Sequence, residues 1–188
     1  MPVPSYGLIV EGIYDIPVYE ALTLRLDSPD ARFFSLECGG VGNLMKRFPG
    51  LLKSLEFIDE GNPVDRALVI RDCGSRLASD VEAEMRSKIA GLDYRFPRGV
   101  DVCAVKQETE TWLLADERAI STVADGRLAG TVNGNLEDLI DPKERLIRIL
   151  SRVRLDYLPS TLGSIARCAD VEIMRYRLPA FRLFEHRI

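Results

Sequence analysis

Short apolar runs alternate with amphipathic segments along the first half of the chain. The runs are rich in branched aliphatic residues, which is typical of strands buried on both faces. The segments between them repeat their apolar residues every three or four positions, which is typical of helices with one buried face. The pattern predicts strands at 6–10, 32–37, 66–71 and 101–105, with helices at 16–26, 41–57 and 78–89 between them.

This alternation of strands and helices predicts a parallel sheet with right-handed crossovers and helices on both faces. Strand signals stop after the segment "ETETWLLAD", and both "DPKERLIRIL" and "STLGSIARCADVEIMRYRL" are typical of helices. We therefore expect an α/β protein with a three-layer, Rossmann-like core. The expected four-stranded, mainly parallel sheet occupies about residues 5–115, and a helical C-terminal extension occupies about residues 116–188 of the same single domain.

Local signals predict how the helices begin and bend. Asp15 is expected to cap the first helix, and Pro17 fits in the first turn of that helix. Pro49 predicts a bend or a break in the second helix. On the third helix the spacing predicts two i,i+4 ion pairs, Glu82 with Arg86 and Glu84 with Lys88.

Composition narrows the class of protein. The 188 residues are 46% hydrophobic and 29% charged, as in an ordinary globular protein, and no apolar run approaches the length of a membrane span. The first residues lack the basic and apolar segments of a signal peptide. Four cysteines without CxxC spacing and a single histidine, His186, argue against a zinc site. We expect reduced cysteines and a cytoplasmic location.

Charge is distributed unevenly along the chain. Residues 1–141 carry a net charge of −9 and residues 142–188 carry +5, within a total of −4. An arginine-rich tail of this kind suits an anionic partner such as nucleic acid. Alternatively, the arginines are solvated on helix surfaces or pair with the acidic part of the chain. Both interpretations fit the sequence.

Acidic residues and glycines follow the predicted strands, where parallel sheets bind their ligands. Carboxylates that meet at one edge of a sheet repel each other unless a cation neutralises them. Hard oxygen ligands of this kind suit Mg²⁺ or Mn²⁺. The residues at the four strand exits are, in chain order, Glu11; Glu37, Cys38, Gly39 and Gly40; Asp72; and Lys106, Gln107, Glu108 and Glu110.

Each of these acids also has a simpler interpretation. A strand-end Glu11 can pair with an arginine, Asp15 can serve only as a helix cap, and Asp72 can begin a turn. Glu108 and Glu110 fit the first turn of a helix, where the dipole favours acids. The loop "CGGVGN" resembles a phosphate-binding loop but lacks the lysine and serine of a P-loop. The common position of these features at one sheet edge favours a metal site.

The segment "LIVEGIYD" resembles the first motif of the Toprim domain. That domain is shared by bacterial primases, topoisomerases and nucleases of the overcoming-lysogenization-defect (OLD) type. The family motif is a strand that ends in Glu-Gly with an acid four positions after the Glu, here Glu11, Gly12 and Asp15. The second family motif is Asp-x-Asp, and "VIRDCGSR" supplies Asp72 but has Gly74 at the position of the second acid.

Further segments extend the resemblance over most of the chain. Gly39 and Gly40 resemble the Gly-Gly turn of OLD-type proteins, and "KQETETWLLAD" resembles a segment in which an acid, here Glu110, precedes an aromatic residue and leucines. Lys106 lies upstream of that acid. The segments "DPKERLIRIL" and "RLPAFRLFEHRI" resemble a family of small, stand-alone, Toprim-like bacterial proteins.

This resemblance implies a nuclease that uses Mg²⁺ or Mn²⁺ to cleave phosphodiester bonds in nucleic acid. It implies that Glu11 and Asp72 hold the metal, with Asp15 and Glu110 as further ligands. Glu108 or Glu110 would supply the ligand that is missing at Gly74. The remaining roles implied are phosphate contacts from Lys106 and close backbone approach to the ligand at Gly12, Gly39, Gly40 and Gly74.

The alternative is a non-catalytic module that binds metal, nucleotide or nucleic acid and regulates a partner ATPase. OLD-type Toprim domains are usually coupled to an ATPase, and this chain has no P-loop of its own. Gly74 favours this alternative.

Overall fold

Four parallel strands form one sheet in the computed structural model, which describes residues 3–188. The strands are β1 (Ser5–Val10), β2 (Arg32–Glu37), β3 (Arg66–Asp72) and β4 (Val100–Val105). Their order in the sheet is β2-β1-β3-β4, and every neighbouring pair is parallel. The chain passes from β1 outward to β2 and then back across β1 to β3. The strand order therefore reverses between β1 and β3, which is where ligands bind in open α/β sheets.

Helices connect the strands and form the C-terminal part of the chain. Between the strands lie α1 (Ile16–Leu26), α2 (Val41–Leu55) and α3 (Ala78–Ile89). After β4 come α4 (Thr109–Leu113), α5 (Glu117–Val123), a short 3-10 helix (Leu136–Asp138), α6 (Pro142–Arg152), α7 (Pro159–Cys168), α8 (Val171–Arg177) and α9 (Phe181–Glu185). The α/β class with a helical C-terminal extension is confirmed.

Two apolar clusters lie on opposite faces of the sheet. On one face α2 and α3 pack against alternate strand residues such as Ile9 and Val69. On the other face α1 and the C-terminal helices share a single cluster with residues such as Leu8 and Leu68. Because side chains alternate along a strand, one short apolar run supplies both clusters. The arrangement has three layers, with the sheet in the middle.

The C-terminal extension packs closely on α1. Gly163 of α7 lies against Pro17, and a Cβ at this glycine would be 2.7 Å from Pro17 Cβ, so only glycine permits this approach. An aromatic group adds to the contact, with Trp112 edge-on to both Tyr19 and Phe181 at centroid distances of 5.7 and 5.2 Å. The extension therefore belongs to the same core as the first strand and helix.

The predicted cap at Asp15 and the predicted break at Pro49 are both absent. Asp15 is the residue before α1, but its side chain makes no capping hydrogen bond to that helix. Pro49 lies inside a single helix, α2, which continues to Leu55 without a break. Pro17 does lie in the first turn of α1, as expected.

Ion pairs also differ from the prediction for α3. Within residues 3–188, Glu82 and Glu84 form no ion pair with Arg86 or Lys88. Instead, Glu82 binds Arg187, and Glu84 binds both Arg71 and Arg76 at 3.3 and 2.9 Å. Partners from other elements compete successfully because they are held in place by tertiary packing, whereas i,i+4 pairs on an exposed helix gain only about 0.3–0.5 kcal/mol.

Several arginines of the basic tail pair with acidic residues. Arg187 binds Glu82 of α3, and Arg177 lies 3.7 Å from Glu117. Arg175 binds Glu185 and Glu172 within the tail. Three of the ten basic residues after residue 141 are therefore paired within the described part of the chain, two of them with acids from the earlier part of the chain.

Two further observations concern the whole of the described chain. Among residues 3–188 no helix has the length and apolar character needed to cross a membrane. All four cysteines are free thiols, and Cys168 is the exposed one.

Candidate functional site

A cavity of about 280 Å³ opens where the strand order reverses, beyond the carboxyl ends of β1 and β3. We call it the carboxylate cleft, because five acidic residues line it. Its lining comprises Glu11, Gly12, Tyr14, Asp15, Gly40, Asp72, Glu108, Glu110, Lys143 and Tyr157. The five acids named by the sequence as candidate metal ligands thus line one cavity, together with two of the four glycines.

Glu11 and Asp72 are joined directly at the centre of the cleft. Glu11 Oε1 accepts a hydrogen bond of 3.1 Å from the backbone N–H of Asp72. The two residues meet because β1 and β3 are neighbours in the sheet and both end at the same edge. Within residues 3–188 Glu11 forms no ion pair, so the arginine-paired interpretation of this strand-end acid does not hold.

Asp15 turns back toward the end of β1 instead of capping α1. Its Oδ2 accepts a hydrogen bond of 3.0 Å from the backbone N–H of Gly12. The backbone N–H of Asp15 in turn donates to the carbonyl of Gly12 at 3.1 Å. This small turn holds the Asp15 carboxylate beside Glu11, within the cleft.

Two buried hydroxyl groups form a chain of hydrogen bonds that reaches Asp72 from the core. Thr109 Oγ1 donates to Asp72 Oδ1 at 3.3 Å, and the Tyr19 hydroxyl lies 2.6 Å from the same Thr109 oxygen. When Thr109 donates to the carboxylate, Tyr19 must donate to Thr109, because a hydroxyl has one proton. Thr109 and Tyr19 are both buried, so this chain fixes the orientation of Asp72 from inside the core.

Glu108 and Glu110 bind to the C-terminal extension. Glu108 Oε2 accepts a hydrogen bond of 3.2 Å from the backbone N–H of Lys143, in the first turn of α6. Glu110 is buried, and its Oε1 accepts a hydrogen bond from the Tyr157 hydroxyl. Glu108 thus caps the start of α6 through its side chain. It makes no side-chain cap to α4, the helix that begins directly after it.

Burial and mutual repulsion raise the pKa values of Glu11, Asp15, Asp72 and Glu108. Loss of solvation raises the pKa of Asp72 well above its usual range, and the charges of Asp15, Glu11 and Glu110 raise it further. Burial also raises the pKa of Glu11, against the hydrogen bond from Asp72. The pKa values of Asp15 and Glu108 are raised by burial as well. Negative charge is therefore costly in the cleft unless positive charge approaches it.

Lys143 is the cation that lines the cleft. Its Nζ lies 5.4 Å from the ring centre of Tyr157 and 6.0 Å from that of Tyr14, and the two rings stack on each other at 5.0 Å. Lys106, the lysine proposed from the sequence, does not line the cleft. It lies instead near Cys73. Burial raises the pKa of the Cys73 thiol, and the positive charge of Lys106 acts in the opposite direction and lowers it in part.

The four predicted glycines separate into two groups. Gly12 and Gly40 line the cleft, whereas Gly39 and Gly74 do not. Gly40 has a φ of 105° and donates from its N–H to the Glu11 carbonyl at 2.8 Å, so the turn after β2 is tied to the exit of β1. The backbone N–H of Gly74 donates to the Gln107 carbonyl at 3.0 Å. This bond holds residue 74, where the family motif has its second acid, beside the residues that follow β4.

The carboxylate oxygens of the cleft are the kind of ligand that a hard divalent cation prefers, but they do not converge on one point as the ligands of a bound metal do. Five carboxylates supply the oxygen ligands that Mg²⁺ and Mn²⁺ prefer. Desolvation, and after it the charges of neighbouring acids, raise the pKa of Asp72. Within residues 3–188, however, no three His, Cys, Asp or Glu side chains stand together in a group that could hold a metal ion. Protein donors instead hold these carboxylates around the cavity wall, so coordination would require side-chain rotations.

Sequence reasoning missed four residues of the site: Tyr14, Thr109, Lys143 and Tyr157. Tyr14 and Thr109 lie next to predicted acids and could have been found from that position. Lys143 and Tyr157 lie 35 and 47 residues after their acidic partners, with no motif to mark them.

We compared the chain with models of protein families, with curated proteins and with solved structures, and none of the three comparisons gave a match. The candidate function therefore rests on the geometry of the carboxylate cleft.

Proposed function

We propose that the protein is a phosphodiesterase of the nuclease type that depends on Mg²⁺ or Mn²⁺ and acts on nucleic acid. The observation that carries the proposal is the position of five carboxylates and one lysine around a single cleft at the strand-order reversal. The Toprim-like motifs around Glu11 and Asp72 support the same activity. A cytoplasmic location belongs to this proposal and is in keeping with four free cysteines.

Glu11, Asp72 and Asp15 would hold the cation, with Glu110 as a further ligand. A bound divalent cation polarises a phosphodiester and lowers the pKa of its bound water. The backbone N–H of Asp72 and that of Gly12 keep Glu11 and Asp15 turned toward the cleft. Thr109, supported by Tyr19, keeps Asp72 in place from the core side.

Glu108 is suited to accept a proton from the attacking water. Burial raises its pKa, and a carboxylate with a raised pKa is a better base near neutral pH. Attack forms one P–O bond and breaks another, and the leaving oxygen takes its proton from solvent. Lys143, on the same side of the cleft as Glu108, balances the negative charge of the phosphate.

The test is cleavage of single- and double-stranded DNA and RNA by the purified protein with Mg²⁺, with Mn²⁺ and with EDTA. Glu11→Gln and Asp72→Asn should each abolish metal-dependent cleavage. Glu37→Gln is the matched control, because Glu37 also ends a strand but is exposed and does not line the cleft. Equal cleavage by wild type, both cleft variants and the control would reject the activity as contamination.

A second candidate function is a non-catalytic module that binds metal or nucleotide and regulates a partner ATPase. One observation favours it: position 74, where the family motif has its second acid, is a glycine that supplies no carboxylate and does not line the cleft. Calorimetric titration with Mn²⁺ separates the candidates. Binding that Asp72→Asn removes, without any cleavage by wild type, supports the module, and absence of binding rejects both.

A further inference from the structure

We propose that the carboxylate cleft takes single-stranded nucleic acid, which runs from the acids across Tyr157 and along α6 to Arg154. The inference rests on the proposed function and specifies its substrate as an extended strand. It also assigns a substrate-binding role to a part of the chain outside the predicted α/β core.

Two cavities share one side chain along this path. Tyr157 lines the carboxylate cleft, and it also lines a second cavity of about 360 Å³. The remaining lining of the second cavity is Ile147, Ser151, Arg154, Leu155 and Asp156. A chain that leaves the acids across Tyr157 therefore enters a second concave surface.

One stripe of α6 connects the two cavities. Lys143, Ile147 and Ser151 recur every four residues, so they lie on one face of the helix. Arg154 follows just beyond the end of α6, in a left-handed turn with a φ of 58°, and lines the same cavity as Ser151. At 1.5 Å per residue the distance from Lys143 to Ser151 along the helix is roughly 12 Å. A path of that length is longer than one nucleotide and suits an oligonucleotide.

Both ends of the stripe carry positive charge that the protein does not neutralise in an ion pair. Within residues 3–188 neither Lys143 nor Arg154 forms a salt bridge, whereas Arg175, Arg177 and Arg187 each do. Asp156 lies in the second cavity and offsets part of the charge of Arg154. The tail thus offers two separated cations, one in each of the two cavities that meet at Tyr157.

The tyrosine pair makes the groove suited to a single strand. Tyr14 and Tyr157 stack with an angle of 25° between their rings, and 36% of Tyr14 is exposed. Unpaired bases stack on aromatic faces of this kind without regard to sequence, and a positive groove beside them follows the backbone. Paired bases are already stacked within a duplex and cannot reach the rings.

The experiment measures binding by fluorescence anisotropy in Ca²⁺, a hard cation that takes the same oxygen ligands, because without a cation the five carboxylates of the cleft would repel the phosphates. Probe integrity is checked on a denaturing gel, so that the binding measured is that of the uncleaved strand. The probes are labelled oligo(dT) and oligo(rU), each as a dinucleotide and as a longer strand, and a DNA duplex. Lys143→Met should weaken binding of both lengths and lower the salt slope by about 0.7, the value for one phosphate contact on a single strand. Arg154→Met should do the same for the longer strand and leave the dinucleotide unchanged.

Matched variants separate these effects from changes in folding. Arg152→Met removes an arginine from the same helix that does not line either cavity, and it should bind as wild type. Lys143→Arg and Arg154→Lys keep the positive charge and should bind with the affinity of wild type. Equal losses from Arg152→Met and Arg154→Met, or equal affinity for the duplex and the strand, would overturn the path.

The two proposals can fail separately. Length-dependent binding that Lys143→Met and Arg154→Met weaken, with no cleavage by wild type, would support the path and reject the phosphodiesterase. Cleavage with affinity unaffected by either substitution would reject the path and keep the phosphodiesterase. The comparison of oligo(dT) with oligo(rU) shows whether the strand is DNA or RNA.

Discussion

The backbone N–H of Asp72 donates a hydrogen bond of 3.1 Å to the Glu11 side chain, and this bond joins the ends of the two central strands. Because it aligns Glu11 with the start of the turn after β3, it brings a second carboxylate next to that of Asp72. Desolvation and the charges of three neighbouring acids then raise the pKa of Asp72 well above its usual range. The cleft is a place where the fold holds negative charge at the expense of stability.

Asp72→Asn should therefore stabilise the protein at neutral pH in EDTA. Asparagine removes the buried charge and keeps the Oδ1 that accepts the hydrogen bond from Thr109. We expect a gain of about 1 kcal/mol in the free energy of unfolding, which corresponds to a rise in Tm of about 2–4 °C in a protein of this size. Thermal unfolding followed by circular dichroism measures it.

The control for this substitution is Asp30→Asn, which removes an exposed carboxylate from a loop. Its Tm should stay within about 1–2 °C of wild type, because surface substitutions usually change stability by less than about 0.5 kcal/mol. A Tm for Asp72→Asn equal to or below that of wild type would show that the carboxylates do not repel each other in the folded protein.

Mg²⁺ or Mn²⁺ should raise the Tm of the wild-type protein. A cation that binds only the folded state at ten times its dissociation constant stabilises that state by about 1.4 kcal/mol. The rise should be absent in Asp72→Asn, because that variant lacks a central carboxylate. Differential scanning fluorimetry with MgCl₂, with MnCl₂ and with NaCl at equal ionic strength makes the comparison. An equal rise with NaCl would identify charge screening in place of a site.

Glu56 should contribute a stability that depends on pH. Burial alone would raise the pKa of this buried carboxyl, but hydrogen bonds from Lys53 and from the Arg95 backbone N–H outweigh burial and lower the pKa. A lowered pKa gives stability that is present above the unfolded value, about 4.3 for glutamate, and is lost as pH falls through the folded value.

Glu56→Gln should consequently be less stable than wild type by about 1 kcal/mol at neutral pH. The difference should shrink as pH falls below about 4, where wild type loses the contribution of the charged form. Urea unfolding across this range tests it, with Glu60→Gln as the exposed control. A difference that stays constant down to acidic pH would show that the loss comes from packing.

The strands and helices of the α/β core were accessible from the sequence because their signals are local. The predicted bounds 16–26, 32–37 and 78–89 are those observed, and the remaining elements differ by only one or two residues. The sequence also predicted that Glu11 and Asp72 lie at the same edge of the sheet, since parallel strands place their carboxyl ends together. The helix break predicted at Pro49 is absent because the packing of α2 on the sheet holds the helix together through the proline.

The sequence by itself determined the order of strands and helices and the presence of acids at the strand exits. Only the tertiary structure decided where the side chains of those acids point and what they bind. Asp15 binds Gly12 and not its own helix, while Glu108 and Glu110 bind Lys143 and Tyr157 from a distant part of the chain. Local propensity and periodicity act over a few residues, whereas these contacts depend on how the C-terminal helices pack on α1, for which glycine at position 163 leaves the space.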